Sequence, residues 1–175
     1  MAALIGFVLG EFGFEFFVLG LLCGVVSGIR RKGSLAERLL AFYVLFSVGA
    51  LNLVNFVYHV FLGAMTARFI GWADSPFQTE LGFASLGFAL VGFIAWRGSY
   101  GMRVAAVLGP AVFLLGAAGG HIYQIMTTGN RAAGNSGLLL WMDVVIPLTG
   151  LLFLAIAKPS ATTPATATQI AGARR

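Results

Sequence analysis

Five long apolar runs constrain the fold of this chain more than any other feature. Each is close to the roughly 20 residues that a helix needs to cross a bilayer core. The runs lie at approximately 4–28, 39–63, 77–96, 103–126 and 137–157. Charged residues make up only 10% of the chain, against about 25% in soluble domains, which excludes a soluble globular fold. We predict an all-α fold, a polytopic membrane bundle of five transmembrane helices.

The five runs and their short connections leave no room for a separate catalytic domain. We therefore expect residues 1–158 to form a single transmembrane helical domain. The first run is not a cleavable signal peptide, because it ends in Arg30, Arg31 and Lys32 rather than in a small-residue cleavage site. The tail at 159–175 is rich in Ala and Thr, cannot bury a core, and is predicted to be disordered and cytoplasmic.

The positions of the basic residues predict the orientation, because Lys and Arg near helix ends resist translocation. With the N-terminus outside, only Arg68 and Arg131 lie on the outer side. Nine basic residues are then cytoplasmic: Arg30, Arg31, Lys32, Arg38, Arg97, Arg103, Lys158, Arg174 and Arg175. We predict the N-terminus outside and the C-terminus in the cytoplasm. We therefore attribute the basic net charge to membrane topology, with the lipid bilayer as partner. We expect no nucleic-acid partner, because the sequence lacks a module of basic and aromatic residues.

The first apolar run carries a stripe of glycines that permits close approach of helix backbones. At about 100° per residue the stripe is roughly 80° wide. It comprises Gly6, Gly10, Gly13, Gly20, Gly24 and Gly28. Because Glu11 and Glu15 lie on nearly the opposite side, we expect the first helix to be central in the bundle or to use one face for a second subunit. A homodimer through the stripe is the protein partner considered. The fourth run has a similar pair, Gly116 and Gly120 beside Gly119.

Ionisable side chains inside the apolar runs are costly to bury and therefore mark candidate functional positions. In the predicted topology the four acids and two histidines within the runs fall in the outer half of the membrane. Asn52, Asn55 and His59 lie within about 60° on one helix face, and His121 and Gln124 are one turn apart. These spacings predict an internal polar cluster. Its candidate ligand or proton-binding residues are Glu11, Glu15, Asn55, His59, Glu80, His121, Gln124 and Asp143.

The two outer connections have different patterns. In the first, Ser75, Pro76 and Gln78 have the spacing of a helix start in which the serine and glutamine side chains satisfy backbone donors. Trp72 and Phe77 are expected at headgroup depth as interfacial anchors. The second connection, TTGNRAAGNSG, is interpreted as a polar turn without a catalytic signature.

Three segments resemble the signature blocks of a known family. They are NLVNFVYHVFLGAMTARFIGW, SPFQTELGFASLGFA and FLLGAAGGHIYQ. They are similar to blocks of an uncharacterised bacterial family of small integral membrane proteins. The resemblance covers helices two to four and part of helix five. It implies a multi-pass protein of the bacterial cytoplasmic (inner) membrane and carries no assigned activity. The matching blocks contain His59, Glu80, His121 and Gln124.

Three functions remain open from the sequence. The favoured one is a non-enzymatic accessory or small-ligand-binding membrane protein. The second is a proton- or cation-coupled transporter, although no ionisable side chain continues a path through the inner half. The third is a transition-metal site, with possible redox activity. Its candidate ligands are His59, Glu80, His121 and Glu11, with Glu15 and Asp143 as further possibilities. Established catalytic motifs are missing from the sequence, which leaves the cofactor unknown and enzyme status open.

Overall fold

The computed structural model describes residues 2–30 and 34–157, with side chains described from residue 11 onward. Every regular element in these ranges is a helix. The elements are α1 (Ala2–Arg30), α2 (Leu35–Phe61), α3 (Gly63–Ile70), α4 (Phe77–Trp96), α5 (Tyr100–Thr128), α6 (Ala133–Ser136) and α7 (Leu138–Ile156). The tail predicted to be disordered, 159–175, lies outside the described residues.

Within residues 2–30 and 34–157, five helical segments are long and apolar enough to cross a membrane. They are Glu11–Arg30, Leu35–Phe61, Phe77–Trp96, Tyr100–Thr128 and Ala133–Ile156. Each overlaps one of the five predicted apolar runs, so the all-α prediction and the number of long apolar helices are confirmed. The short helices α3 and α6 fall in the two connections that were predicted to lie outside.

Helix α2 occupies the centre of the bundle and contacts α1, α4, α5 and α7. Its buried residues Leu40, Val44, Val48 and Leu51 follow one another at spacings of four and three, which places them on one helix face. In the most apolar 18-residue stretch of each helix, 50% of the α2 residues are buried, against 11% of those in Glu11–Arg30. The expectation of a central first helix was therefore wrong for this chain by itself. From Glu11 onward, helix α1 packs through one side, and its other side is exposed.

The described glycines of the α1 stripe pack against α2 of the same chain. A Cβ atom on Gly20 would lie 3.1 Å from the carbonyl oxygen of Phe42, and one on Gly24 would lie 3.0 Å from Leu39 Cα. These glycines therefore let the two backbones approach closely. A second copy could use this part of the stripe only by displacing α2. The surroundings of Gly6 and Gly10 lie outside the described set.

Two further glycines on α4, Gly82 and Gly92, allow this helix to pack closely against α2. A Cβ on Gly92 would lie 2.6 Å from the backbone nitrogen of Gly49, and one on Gly82 would lie 2.5 Å from Val60 Cγ2. Gly49 belongs to a π-helical segment, Val44–Ala50, within α2. By contrast, Gly116, Gly119 and Gly120 on α5 have no described atom within 4 Å of an added Cβ. The glycines on α4 therefore permit close packing against α2, whereas these three glycines on α5 make no such contact.

The half of the bundle that contains the α1–α2 and α4–α5 connections is filled by packed side chains. Its apolar core includes Leu40, Val44, Val107 and Leu154. The hydroxyl of Tyr43 donates to the carbonyl oxygen of Ile146 at 2.9 Å, and that of Tyr100 donates to Leu154 at 2.9 Å. Arg103 donates to the last carbonyl groups of α4, at Ala95 and Trp96. The opposite half of the bundle contains a cavity.

Candidate ligand-binding site

A cavity of about 110 Å³ lies between α1, α2, α4, α5 and α7. Its wall is mainly aromatic and aliphatic, with Phe12, Phe113, Leu114 and Met142 among the lining residues. A small polar set also lines it: Asn55, His59, Trp72, Ser85, His121 and Asp143. A largely apolar pocket with a few polar groups is typical of small-molecule sites.

His121 is held by an asparagine from the connection between α5 and α7. Asn135 Nδ2 donates to the carbonyl oxygens of His121 and Asn130, at 3.3 and 3.0 Å. Asn135 Oδ1 lies 2.8 Å from His121 Nδ1 and can only accept. His121 Nδ1 therefore carries a hydrogen, and the other ring nitrogen, Nε2, lies 3.6 Å from Asp143 Oδ2. Asn135 thus sets the chemistry that His121 presents to Asp143.

The connection that supplies Asn135 is itself fixed to the first outer connection. Helix α5 ends at Thr128, and the next residue, Gly129, has a φ of 67°, which glycine adopts readily. Asn130 Nδ2 then donates to the carbonyl oxygens of Ile70 and Gly71, at 3.0 and 3.3 Å. Gly71 has a φ of 78°, and a Cβ there would lie 2.6 Å from Asn130 Oδ1. Both connections therefore close over the same end of the cavity.

His59 is held from the start of α4. Its Nδ1 donates to Gln78 Oε1 over 2.6 Å, and both side chains are buried. The predicted helix start at Ser75 is only partly reproduced: the backbone nitrogen of Gln78 donates to the carbonyl oxygen of Ser75, and the cap residue is Pro76 without a side-chain hydrogen bond. Because the Gln78 side chain bonds to His59, it does not accept a hydrogen bond from a backbone N–H group at the start of α4.

His59 also faces an open depression on the surface. This depression, of about 460 Å³, is lined by residues that include Asp74, Ser75 and Thr79. Among the described residues, His59 is the one that lines both the depression and the cavity. The hydrogen bond between His59 and Gln78 therefore lies at the wall that separates the two spaces.

Trp72 takes a different position from the one expected. It was predicted as an interfacial anchor, but it lines the cavity and stacks on His121, with ring centroids 5.5 Å apart and planes inclined by 29°. Its Nε1 atom is buried and has no hydrogen-bond partner among the described residues. An unpaired buried donor is costly, so this N–H group is available to a bound acceptor.

The structure brings together only some of the predicted site residues. Asn55, His59, His121 and Asp143 line the cavity. The others are absent from the lining that the described side chains form. Glu15 and Glu80 are exposed, Glu11 and Gln124 are partly exposed, and Gln124 Oε1 accepts from Thr128 within α5. Asn52 is buried, but its side chain donates to the carbonyl oxygen of Val48.

The four residues considered as metal ligands are not gathered at one point. Only His59 and His121 reach the cavity, while Glu11 and Glu80 lie outside its lining. In the described part of the chain, no three His, Cys, Asp or Glu side chains form a group that could hold a metal ion. The geometry therefore supports a site built from hydrogen-bonding groups.

Sequence reasoning missed Asn130, Asn135 and Ser85, and assigned Trp72 and Gln78 to other roles. Asn135 has no exposed surface and Ser85 is 1% exposed. Two asparagines within the polar turn TTGNRAAGNSG were the available signal. Asparagine favours turns and also satisfies buried partners, so composition could not distinguish the two roles.

The fold and the cavity define a class: the described part of the chain is all-helical, has five helices long and apolar enough to cross a membrane, and contains a partly polar cavity. The model of a family of unknown function (DUF6790) matches residues 1–163. The chain belongs to this family, as its resemblance to an uncharacterised family implied. No curated protein and no solved structure matches it.

Proposed function

We propose that the chain is a multi-pass integral protein of the bacterial cytoplasmic membrane, with one membrane domain at 1–158. The outward helix surfaces support insertion, because Ile29, Val112 and Met126 are 75–79% exposed and water would solvate them poorly. The nine-to-two distribution of basic residues supports an outer N-terminus and a cytoplasmic C-terminus. The cavity then opens toward the outer side.

Within this topology, the protein binds a small molecule in the cavity without acting as an enzyme. The observation that carries this proposal is the cavity itself, a space of about 110 Å³ with an apolar wall and the His121–Asp143 pair at its edge. A cavity of about 150 Å³ with an apolar lining admits benzene. The natural ligand is therefore no larger than a single ring.

The same buried pair favours a second candidate function, proton-coupled transport. Pairs of ionisable groups inside membrane proteins can form proton relays. The packed core around Val44, Val48 and Val107 opposes this candidate, since these residues are at most 1% exposed and fill the inner half. Proton flux in proteoliposomes that exceeds the flux with Asp143→Asn protein would favour transport.

The test of the binding function is a benzene titration of the detergent-solubilised protein, followed by ligand-detected NMR. The variant Ala117→Phe fills the cavity, because Ala117 lines it. The matched control is Ala105→Phe, the same substitution at an exposed position of the same helix. We expect saturable benzene binding in the wild type and in the control, and its loss in Ala117→Phe. Equal signals in all three proteins would show that benzene enters only the micelle and would overturn the proposal.

A further inference from the structure

The separation between His121 and Asp143 leaves space for one bridging group. Their facing atoms, Nε2 and Oδ2, are 3.6 Å apart. An N–H···O hydrogen bond spans about 2.7–3.2 Å, so the two atoms are too far apart for a good direct bond. Both residues line the cavity. A ligand atom placed beside both could therefore complete the interaction.

The hydrogen on His121 Nδ1 restricts what the pair can offer to such a ligand. Asn135 accepts that hydrogen, so only Nε2 can vary in protonation. If Nε2 is protonated, it donates and the Asp143 carboxylate accepts. If the proton is on Asp143, the carboxyl group donates and Nε2 accepts. A pair that shares one proton therefore presents one donor and one acceptor in either arrangement, and removal of that proton would leave a buried carboxylate without an opposite charge, which is costly.

A hydroxyl group matches both of these states, because its oxygen accepts one hydrogen bond while its hydrogen donates another. A carbonyl group only accepts and an ammonium group only donates, so each leaves one member of the pair unsatisfied. Leaving a buried polar group unpaired is costly. The chemistry of the pair therefore selects a hydroxyl over either of those groups.

The other residues of the cavity wall determine what kind of molecule can carry the hydroxyl group. Phe12, Phe113, Leu114 and Met142 form apolar wall, and no Lys or Arg belongs to the described lining. A pair that shares one proton is neutral overall, so a charged ligand would have no partner of opposite sign in the described lining. The wall therefore accepts a ligand whose remaining part is uncharged and apolar.

We propose that the cavity binds a small apolar alcohol or phenol whose hydroxyl bridges His121 Nε2 and Asp143 Oδ2. This proposal rests on the proposed function of the cavity in small-molecule binding. The body of the ligand occupies the apolar wall, as benzene would. The buried Nε1–H group of Trp72, next to His121, is a further donor for the same oxygen.

The experiment compares phenol, benzene and benzoate, which share a ring but differ in the polar group. Affinities are measured by ligand-detected NMR on the detergent-solubilised protein, with Ala117→Phe subtracted to remove partition into the micelle. We expect phenol to bind about tenfold more tightly than benzene, which corresponds to about 1.4 kcal/mol. Benzoate should bind at least tenfold more weakly than phenol.

A double variant, His121→Phe with Asp143→Leu, removes both members of the pair and keeps the site apolar. It should lose most of the tenfold preference for phenol over benzene, because the hydroxyl then keeps only the Nε1–H group of Trp72 and loses the pair. If this variant does not fold, the readout is the ¹⁵N shift of His121 in the wild-type protein. The chain has two histidines, so His59→Gln assigns the signals. Phenol should move the Nε2 signal of His121, and benzene should leave it in place.

The outcomes separate the two proposals. Equal binding of phenol and benzene to the wild type, or an unmoved His121 signal at saturation with phenol, would overturn the hydroxyl proposal while the binding function stands. If neither compound binds beyond the Ala117→Phe background, the cavity holds water only, and both proposals fail.

Discussion

Asn135 and His121 are joined twice: Asn135 Nδ2 donates to the carbonyl oxygen of His121, and Asn135 Oδ1 accepts from its ring nitrogen Nδ1. The first bond orients the amide, and the second fixes which ring nitrogen carries the hydrogen. Because Asn135 also donates to the carbonyl oxygen of Asn130, a connection between helices determines the chemistry of a residue inside the bundle. This arrangement places the orientation of His121, which lines the cavity, under the control of the connections that follow α3 and α5.

Replacing Asn135 by Ala should therefore destabilise the protein and weaken phenol binding. Removal of the amide leaves His121 Nδ1 without an acceptor, at a cost of about 1–3 kcal/mol. Thermal unfolding of the detergent-solubilised protein measures the loss. The matched control is Ser136→Ala, whose hydroxyl makes one bond of 3.4 Å to Ala132. An unfolding temperature for Asn135→Ala equal to that of the control would contradict this role.

Replacing Gly24 by Leu should separate α1 from α2. A Cβ atom there would already lie 3.0 Å from both Cα and Cδ2 of Leu39, so a full leucine side chain must displace the helix. Overpacking of this kind costs about 1–3 kcal/mol. The control is Gly87→Leu on α4, where an added Cβ meets no described atom within 4 Å. Similar unfolding temperatures for the two variants would show that α1 does not pack on α2 through this glycine.

Replacing Gln78 by Ala should speed exchange between the outer depression and the cavity. The side chain of Gln78 holds His59 at the wall between them through a bond of 2.6 Å. Benzene dissociation, measured from NMR line shapes, should become about two- to tenfold faster, since the net value of one such bond is about 0.5–1.5 kcal/mol. Thr79→Ala, at an exposed neighbour that lines only the depression, serves as the control. If both variants release benzene at the wild-type rate, entry follows another route.

Replacing Glu80 by Ala should leave benzene affinity within about twofold of the wild-type value, which is the usual effect of a surface change below 0.5 kcal/mol. Glu80 is exposed and does not belong to the described lining of the cavity. A loss as large as that in Ala117→Phe would show that Glu80 reaches the site after all. Arg131→Ala, at another exposed outer position, is the control.

A reporter fused to the C-terminus should be active only if it functions in the cytoplasm. The reason is the excess of nine basic residues over two near the helix ends assigned to that side. Two fusions are compared, one to a reporter that functions only in the cytoplasm and one to a reporter that matures only outside. Either orientation then gives a positive signal. Activity of the second fusion alone would reverse the proposed orientation.

The sequence predicted where the helices lie along the chain better than it predicted which residues pack against each helix. The five apolar runs were located to within a few residues at most ends, because the length and hydropathy of a run are local properties. His59, His121 and Asp143 were recognised because polar groups are rare in such runs. Glu80 was assigned to the same cluster on depth alone, and the structure places it on the surface. Depth along a helix follows from counting residues, whereas the direction of a side chain requires the neighbouring helices.

The sequence by itself determined that this chain forms apolar helices of membrane-spanning length and that a few polar groups lie within them. Only the tertiary structure decided that α2 is central, that Asn135 holds His121, and that Gln78 holds His59. The physical reason is that a hydrogen bond between distant segments depends on the separation and rotation of whole helices. Those quantities result from close contacts such as that of Gly92 with Gly49, which involve residues far apart in the chain and leave no local pattern in either segment.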